Sequence, residues 1–526
     1  MGRGSLLLLV ACAGCATTGP TYQCASLKDS RWTTIDSEHF ELTTDLPVED
    51  GRSYVTCLEK SWRALSLLAF RSATPPTDKA LVVALSKEGA MAKELIIGRA
   101  AGFFRPDPWE ERPLLVFAGD LDLAACQIAQ HELVHRFLYH FSSGAPRWLH
   151  EGMARFWETL AVADDGRASI GDSTLCVDHQ PGIAPRHCSP AWVIAHAKLP
   201  KLAELTDPQP RVFYQGNVYA SYLAARELVR LLYTPPYQQA FVTYTSKLNG
   251  AASAKKAWQE LLTAVGAEAL ERDYEALLTV SAQRAWWHAQ SSPPPWIEPP
   301  MSVRPLEEHE AHRMYARFLP SGTAKQREMV EQHLSEMLTH DPSSADARVM
   351  RAQLLLRKGE LGAAAAELDQ LKSAGIKDHR ASLLRFLGLV DAQEALPPAL
   401  RDWTAPEAAI QELMRLARTP TSLNNVAWYF AQRNEPAIGA PFARRALEKD
   451  PGCWECLDTL GLLQFELGHV GAAVDAQLQA INLVPYETAP LDMLYRLATY
   501  ERALAAQTST AAADFPAPSS HSHSPL

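Results

Sequence analysis

The chain of 526 residues has no basic run and no excess of positive charge, because 60 Asp and Glu outnumber 50 Lys and Arg for a net charge of −10. This balance gives no electrostatic reason to expect nucleic acid or an anionic lipid surface as a partner. The hydrophobic fraction of 47% is that of a soluble globular protein. A chain of this length exceeds what one hydrophobic core supports, so two or more domains are expected.

The amino terminus carries one short apolar run, residues 6–11, which follows Arg3 and ends close to Cys12 and Cys15. The pattern is typical of an export signal and not of a membrane-spanning helix. Small residues that end in a cysteine resemble the bacterial lipobox, in which the cysteine is acylated and becomes the mature amino terminus. Cys15 is favoured over Cys12 because it leaves a longer apolar segment ahead of it, and cleavage without lipidation is the alternative. The resemblance implies an envelope protein, lipid-anchored in the outer membrane and facing the periplasm, or a secreted one.

Seven further cysteines would then occupy an oxidising compartment, where disulfides form. Because seven is odd, at least one stays free. Cys176 and Cys188 flank a loop and are the favoured pair, whereas Cys126 lies in an apolar helix and is expected in the core.

The first folded domain is predicted over residues 31–290, after a signal peptide (1–15) and a polar tether (16–30). Residues 39–43 alternate as in a strand, 54–70 have helical spacing, and 81–85 and 114–118 are apolar runs of strand length. A helix is predicted from Asp122 to Phe141, and a second from Arg147 to Leu160. The Pro-rich segment 291–305 is expected to be a linker.

The second half contains a repeat, which predicts helical pairs over residues 306–500. Three landmarks recur with one displacement of 34 residues: Ala427, Ala446 and Pro451 as Gly461, Ala480 and Pro485. The displacement resembles that of tetratricopeptide (TPR) repeats, well over 420–487 and less well over 325–375. A helical domain without repeats is the alternative. The Ala-, Ser- and Pro-rich tail, residues 501–526, is predicted to be disordered.

The segment from His131 to His135 carries the chemistry, because its two histidines are four residues apart with Glu132 beside the first. Histidines at this spacing lie on one face of a helix and can bind one zinc ion. Catalytic zinc keeps a position open for water, from which Glu132 could take a proton as general base. A chance match, or two histidines that only pack, are the structural alternatives.

Glu151 is the expected third ligand, and His140 is the alternative. Leu138 stands where the metzincin pattern requires glycine, so that pattern fits badly. The segment Trp148-Leu149-His150-Glu151-Gly152 resembles instead the gluzincin branch of zinc peptidases, and the wider domain resembles exported peptidase-MA-like families of bacteria. The resemblance implies that His131, His135 and Glu151 bind Zn²⁺ and that Glu132 is the general base.

Peptidases of this branch also use a donor to the oxyanion, for which Tyr219 is the first candidate and Tyr214 the second, with helix packing as the alternative. His150 is expected to face solvent. Two positions depart from the family pattern. Arg136 is charged where an uncharged residue is usual, and Arg155 stands where thermolysin-like members place an aspartate that orients a ligand. Glu158 is the candidate substitute.

Together these features predict an α+β, zincin-like metallopeptidase domain followed by an all-α domain of TPR-like repeats. The expected function is zinc-dependent hydrolysis of peptide bonds, with the repeats binding a protein partner or substrate. The alternative is a repeat adaptor that carries an inactive zinc-binding domain.

Overall fold

The structure is a computed structural model that describes residues 32–70, 76–86, 102–107, 112–118, 123–142, 145–170, 190–206, 213, 217–248, 254–280, 287–288, 295–318, 323–484 and 491–513. The candidate lipidation sites Cys12 and Cys15, the predicted Cys176–Cys188 pair and Tyr214 lie outside these residues.

The first half is a mixture of strands and helices. In chain order it contains β1 (Thr33–Asp36), β2 (Phe40–Thr44), α1 (Val48–Ala64) with a π-helical end (Leu65–Ala69), β3 (Ala80–Leu85), β4 (Gly102–Asp107), β5 (Arg112–Ala118), α2 (Leu123–Phe141), α3 (Arg147–Trp157), β6 (Leu160–Val162), β7 (Ala168–Ile170), α4 (Pro190–His196), α5 (Leu202–Leu205), α6 (Val218–Leu232), α7 (Gln238–Lys247), α8 (Ala254–Val265), α9 (Ala267–Val280), β8 (Trp287–His288) and β9 (Ser302–Pro305). The elements predicted at 39–43, 81–85, 114–118, 122–141 and 147–160 are confirmed to within three residues at their described ends. The helix predicted over 54–70 is confirmed as well, but it begins six residues earlier, at Val48.

The rest of the described chain is helical apart from a short 3₁₀ turn (Pro398–Leu400). Its helices are α10 (Glu308–Phe318), α11 (Ala324–His340), α12 (Ala345–Arg357), α13 (Leu361–Ser373), α14 (His379–Glu394), α15 (Thr404–Leu416), α16 (Pro420–Gln432), α17 (Pro436–Lys449), α18 (Trp454–Glu466), α19 (Val470–Leu483) and α20 (Leu491–Ala513). The chain is therefore α+β, with helical repeats after the sheet domain. Within the described helices, none has both the length and the apolar character needed to cross a membrane.

A mixed sheet organises the first domain, with the strand order β4-β5-β3-β2-β1-β9 among the described residues. β3 is parallel to both of its neighbours, β2 and β5, and the other pairs are antiparallel. Alternate residues of β3 and β5 enter two different cores, because Val82 and Leu115 pack with α1 and α2, whereas Val83 and Leu114 pack with α10–α12. Burial on both faces explains why these strands are continuous apolar runs.

The predicted linker ends inside this sheet. Residues 302–305 form β9, which pairs antiparallel with β1 at the sheet edge. A Pro-containing strand suits an edge, where one side of the backbone has no ladder partner. The helical half is thus connected to the first domain by a structural strand as well as by the packing of α10–α12.

A disulfide between Cys57 and Cys126 joins α1 to α2. Cys126, predicted to lie in the core, is half-buried on α2 and forms this bridge. The helical spacing places Cys126 correctly on α2, but it does not reveal that α1 crosses at that point. The bridge closes a loop with a sequence separation of 69 residues and fastens the amino end of α2, which precedes the histidine motif.

The second half repeats as helix pairs. α16 and α17 return as α18 and α19, and each helix begins and ends 34 residues after its counterpart. α12 and α13 form an earlier pair with the same three-residue connection, in which Gly359, Asn434 and Gly468 have positive φ at equivalent places. The pairs cross at small residues, since a Cβ on Gly439 would lie 2.9 Å from the carbonyl oxygen of Ala427. The repeat prediction is confirmed for these helices.

The carboxyl-terminal tail differs from its prediction over the part that the structure describes. α20 continues to Ala513, so residues 501–513, expected to be disordered, are helical. The run of Ala and polar residues there has a high helix propensity, which outweighs its low hydrophobicity. Residues 514–526 lie outside the described chain.

Candidate metal centre

Helices α2 and α3 bring the candidate ligands together. On α2, the apolar face of Leu133, Phe137 and Leu138 is fully buried, and this fixes the rotation of the helix. His131 and His135 then share another face, with ring centroids 4.9 Å apart. Because an α-helix repeats every 3.6 residues, residues four apart are stacked one turn from each other.

Glu151 meets both histidines from α3. Its Oε2 lies 3.6 Å from His131 Nε2 and 3.9 Å from His135 Nε2. These three residues are the metal-binding group found among the described residues, with ligand atoms within 4.8 Å of one another. A tetrahedral ion with bonds of about 2.0–2.1 Å needs ligand atoms about 3.3 Å apart. Small side-chain rotations would bring the three to that spacing.

Glycine at position 152 allows α3 to approach α6 closely enough to place Glu151. A Cβ on Gly152 would lie 2.6 Å from the carbonyl oxygen of Ala225, on α6, and 2.9 Å from a methyl group of Val229. No other residue fits this crossing without moving one of the helices. The glycine after Glu151 is therefore a packing requirement of the site.

Glu158 lies behind His131, on the side away from Glu151. Its Oε2 is 2.8 Å from His131 Nδ1, and its Oε1 is 3.5 Å from Arg155 Nη1. Glu158 is completely buried. Because a carboxylate only accepts hydrogen bonds, Nδ1 carries the proton and Nε2 is the nitrogen that faces Glu151 and His135.

Charge interactions within the cluster favour a protonated His131 beside an ionised Glu151. Burial lowers the pKa of His131, but hydrogen bonds to Glu151 and Glu158 raise it more, to about 10. Burial would raise the pKa of the Glu151 carboxyl, yet His131, His135 and Arg147 hold it well below its usual range. Burial lowers the pKa of His135 well below its usual value, so this imidazole is neutral and has a free lone pair.

Glu132, the candidate base, is buried on α2 beside the first histidine. Its negative charge is one of the influences that raise the pKa of His131. The structure therefore places Glu132 within the electrostatic surroundings of the cluster, and it is not one of the three converging ligands.

Two arginines on these helices have specific partners. Arg136 is buried, donates to the carbonyl oxygen of Asp78 and lies 4.7 Å from the centre of the Trp62 ring. Burial lowers the pKa of Arg136 to about 9. Arg147 lies 3.7 Å from Glu151 Oε1 and also donates to the carbonyl oxygen of Val484, at the end of α19. The spacing of four residues between Arg147 and Glu151 could have indicated this pair from the sequence.

The remaining candidates lie elsewhere or behave differently from their predictions. Tyr219 is half-buried in the first turn of α6 and packs against Val193 and Leu223. His140 is exposed at the end of α2 and is not part of the metal-binding group. His150 does not face solvent as expected: it is half-buried with its ring centroid 5.7 Å from that of His135. Burial, and then Arg147, lower the pKa of His150 to about 4.

The donor set fits a zinc ion. Two imidazoles and one carboxylate are a ligand set that catalytic zinc uses, and Glu158 supplies the hydrogen bond that such a histidine ligand requires. The pKa of His131 is high because Glu151 and Glu158 face its two ring nitrogens, and the space between Nε2 and Glu151 is where a cation would bind.

Comparisons with known proteins do not assign this chain to a family. No family model matches the chain, and no curated protein matches it. Among the solved structures that match are two that are similar to about a third of the chain. A thermophilic TPR protein of Thermus thermophilus has 14% identity and a TM-score of 0.32, over 36% of this chain and 98% of its own. The MamA protein has 13% identity and a TM-score of 0.25, over 35% and 97%. Similarity at these TM-scores does not support a fold assignment. The assignment of a helical repeat rests instead on the 34-residue spacing between α16–α17 and α18–α19.

Proposed function

We propose that the chain is a zinc-dependent peptidase of the gluzincin type whose TPR-like helices bind a protein partner or substrate. The observation that carries the proposal is the convergence of His131, His135 and Glu151 beside Glu132. His131, His135 and Glu151 would hold the ion, which supplies a Lewis acid and an acidified water when bound.

The residues of the chain have distinct roles in this proposal. Glu132 accepts the proton of the attacking water and passes it to the departing amine. Glu158 keeps the His131 ring in one tautomer and one orientation, through the 2.8 Å contact with Nδ1. Arg147 offsets part of the negative charge of Glu151. Tyr219 stays a candidate donor to the oxyanion, although its packing against Val193 and Leu223 also accounts for it.

The central experiment separates metal binding from turnover. Full-length protein should contain close to one zinc ion per chain and cleave members of a peptide library. Glu132→Gln should keep the metal and lower the cleavage rate by about 10²–10⁴-fold, the usual effect of losing a general base. Glu59→Gln is the matched control, because Glu59, on α1, is also a buried carboxylate but pairs with His39, which directly precedes β2. It should retain both zinc and activity.

A second function is favoured by the helical repeats. Stacked helix pairs form extended binding surfaces, so an adaptor with an inactive metal domain is the alternative. Zinc retained without cleavage of any peptide or folded envelope protein supports the adaptor. Absence of zinc after purification in zinc-containing buffer contradicts the peptidase proposal altogether.

Lipid anchoring at the cell envelope is a separate part of the proposal, and it rests on the lipobox-like segment that ends at Cys15. Labelling with a palmitate analogue should be lost in Cys15→Ser. Continued labelling of that variant would assign the lipid to Cys12.

A further inference from the structure

A second cysteine pair occupies the first turn of a repeat helix. Cys453 and Cys456 are joined as a disulfide at the amino end of α18, with Cα atoms 5.2 Å apart. Cys453 is the N-cap of this 13-residue helix, and its Sγ accepts the backbone N–H of Cys456 at 3.1 Å.

The preceding repeat shows what the fold needs at this place. The equivalent residues of α16, 34 positions earlier, are Thr419 and Ser422. Thr419 caps the helix by accepting the N–H of Ser422 at 3.1 Å, and the two hydroxyl oxygens are 3.0 Å apart. Ser344 caps the first helix of the earlier pair in the same way. In the other repeats, hydroxyl oxygens thus accept hydrogen bonds from the backbone N–H groups at the start of the helix. Sulfur atoms are therefore not needed to cap the helix.

The two sulfur atoms have different surroundings. Cys453 is half-buried, whereas Cys456 is fully buried against α16, with its Sγ 3.9 Å from the carbonyl oxygen of Pro420. Cys453 is therefore the more accessible cysteine of the pair, and Cys456 is protected. The helix dipole and the N–H of Cys456 favour negative charge on Cys453, while the carboxylate of Glu455, 4.0 Å away, opposes it.

A structural role explains this disulfide poorly. Its cysteines are separated by 3 residues, against 69 for the Cys57–Cys126 bridge. A bridge restricts the unfolded chain through the loop that it closes, and this effect is smallest for short loops. The long-range bridge fastens two helices, whereas the short one joins residues of a single helix turn.

We propose that Cys453 and Cys456 form a redox-active site that exchanges with protein dithiols and disulfides. A thiolate of a substrate dithiol attacks Cys453 Sγ. The Cys453–Cys456 bond breaks, and Cys456 Sγ leaves with the electron pair and takes up a proton. The second substrate thiol loses its proton and attacks the substrate sulfur of the mixed disulfide, which releases Cys453 as a thiolate. The substrate is oxidised to a disulfide and the pair is reduced, and the reverse sequence reduces a substrate disulfide.

The decisive variant restores the cap of the sister repeat. Cys453→Thr with Cys456→Ser reproduces the Thr419–Ser422 arrangement, so α18 keeps its hydroxyl cap and loses its sulfur chemistry. Full-length wild-type protein should accelerate the reduction of insulin disulfides by dithiothreitol about tenfold over the uncatalysed rate. The double variant should show the uncatalysed rate with an unchanged circular dichroism spectrum. Equal acceleration by both proteins, or by neither, overturns the proposal.

Single variants test the order of events. In Cys456→Ser, the accessible Cys453 thiolate should attack the disulfide reagent dithiobis(nitrobenzoate), release one thionitrobenzoate and keep the other as a stable mixed disulfide. Cys453→Ser should not react in this way, because Cys456 is buried. Glu455→Gln should speed mixed-disulfide formation at neutral pH, since it removes the negative charge that opposes a Cys453 thiolate.

The two disulfides should also differ in how easily they are reduced. When the protein is equilibrated in glutathione buffers, alkylated and analysed by peptide mass spectrometry, Cys453–Cys456 should open before Cys57–Cys126. Trapping at Cys456 in preference to Cys453, or the reverse order of opening, contradicts the assignment.

Discussion

Replacing Glu158 by Gln should weaken zinc binding without removing a ligand. The carboxylate accepts from His131 Nδ1 at 2.8 Å and lies 3.5 Å from Arg155, and it is completely buried. Glutamine has the same shape and can still accept one hydrogen bond, but it carries no charge, so His131 Nε2 becomes a weaker donor to a metal. Losing a partner of this kind lowers metal affinity about 10–100-fold. That range corresponds to about 1.4–2.7 kcal/mol of binding free energy.

The zinc dissociation constant should be measured by competition with a chromophoric chelator at neutral pH. Glu227→Gln is the matched control, because Glu227 is also fully buried and pairs with Arg226 at 3.2 Å and Arg230 at 2.9 Å. Both variants break a buried ion pair and should lose stability, by up to about 3–5 kcal/mol. Only Glu158→Gln should change the zinc affinity. An unchanged dissociation constant in folded Glu158→Gln protein, or an equal loss in Glu227→Gln, would refute the reasoning.

Three further changes have expected outcomes. Gly152→Ala should lower the free energy of unfolding by about 1–3 kcal/mol and weaken zinc binding, because the new Cβ would lie 2.6 Å from a backbone carbonyl oxygen of α6. Gly362→Ala is the control, because its Cβ would meet nothing within 4 Å. Urea and zinc titrations should show neither effect for this variant. Burial, and then its histidine partner on α10, lower the pKa of His333 to about 3. The unfolded chain therefore binds the extra proton below its pKa of about 6.5, and stability should fall by about 2 kcal/mol between neutral pH and about pH 5. Urea midpoints should show this fall in the wild type and a smaller one in His333→Phe, and equal falls would contradict the assignment. Cys57→Ser with Cys126→Ser removes a bridge between residues 69 positions apart and should lower the free energy of unfolding by about 2–4 kcal/mol. An unchanged urea midpoint would contradict this expectation.

Local patterns predicted most of the elements that hold the site. The apolar runs of β3 and β5 follow from burial on both faces, and α2 is marked by its helical spacing of apolar residues. The 34-residue displacement placed four helices, because repeated helix pairs require small residues at each crossing. These features depend on neighbours along the chain, and a sequence carries such information directly.

Long-range partners could not be predicted in the same way. β9 pairs with β1 although the two are separated by more than 260 residues, and Cys57 pairs with Cys126 across three intervening strands. Pairing at such distances depends on how the other elements pack, and periodicity contains no signal for it. His150 illustrates the same difficulty, since only the approach of α3 to α2 shows that it is half-buried near His135.

The structure gives Arg155 a role that the sequence pattern does not indicate. In the family pattern its position belongs to an aspartate that orients a ligating histidine, so by that pattern an arginine there leaves the histidine without its orienting carboxylate. The structure instead places Arg155 4.7 Å from the centre of the Tyr222 ring and 3.5 Å from Glu158 Oε1. Its charge therefore stabilises the buried carboxylate that contacts His131 Nδ1. A carboxylate about one helical turn after position 155 thus contacts His131 Nδ1, and Arg155 places a positive charge beside this fully buried group.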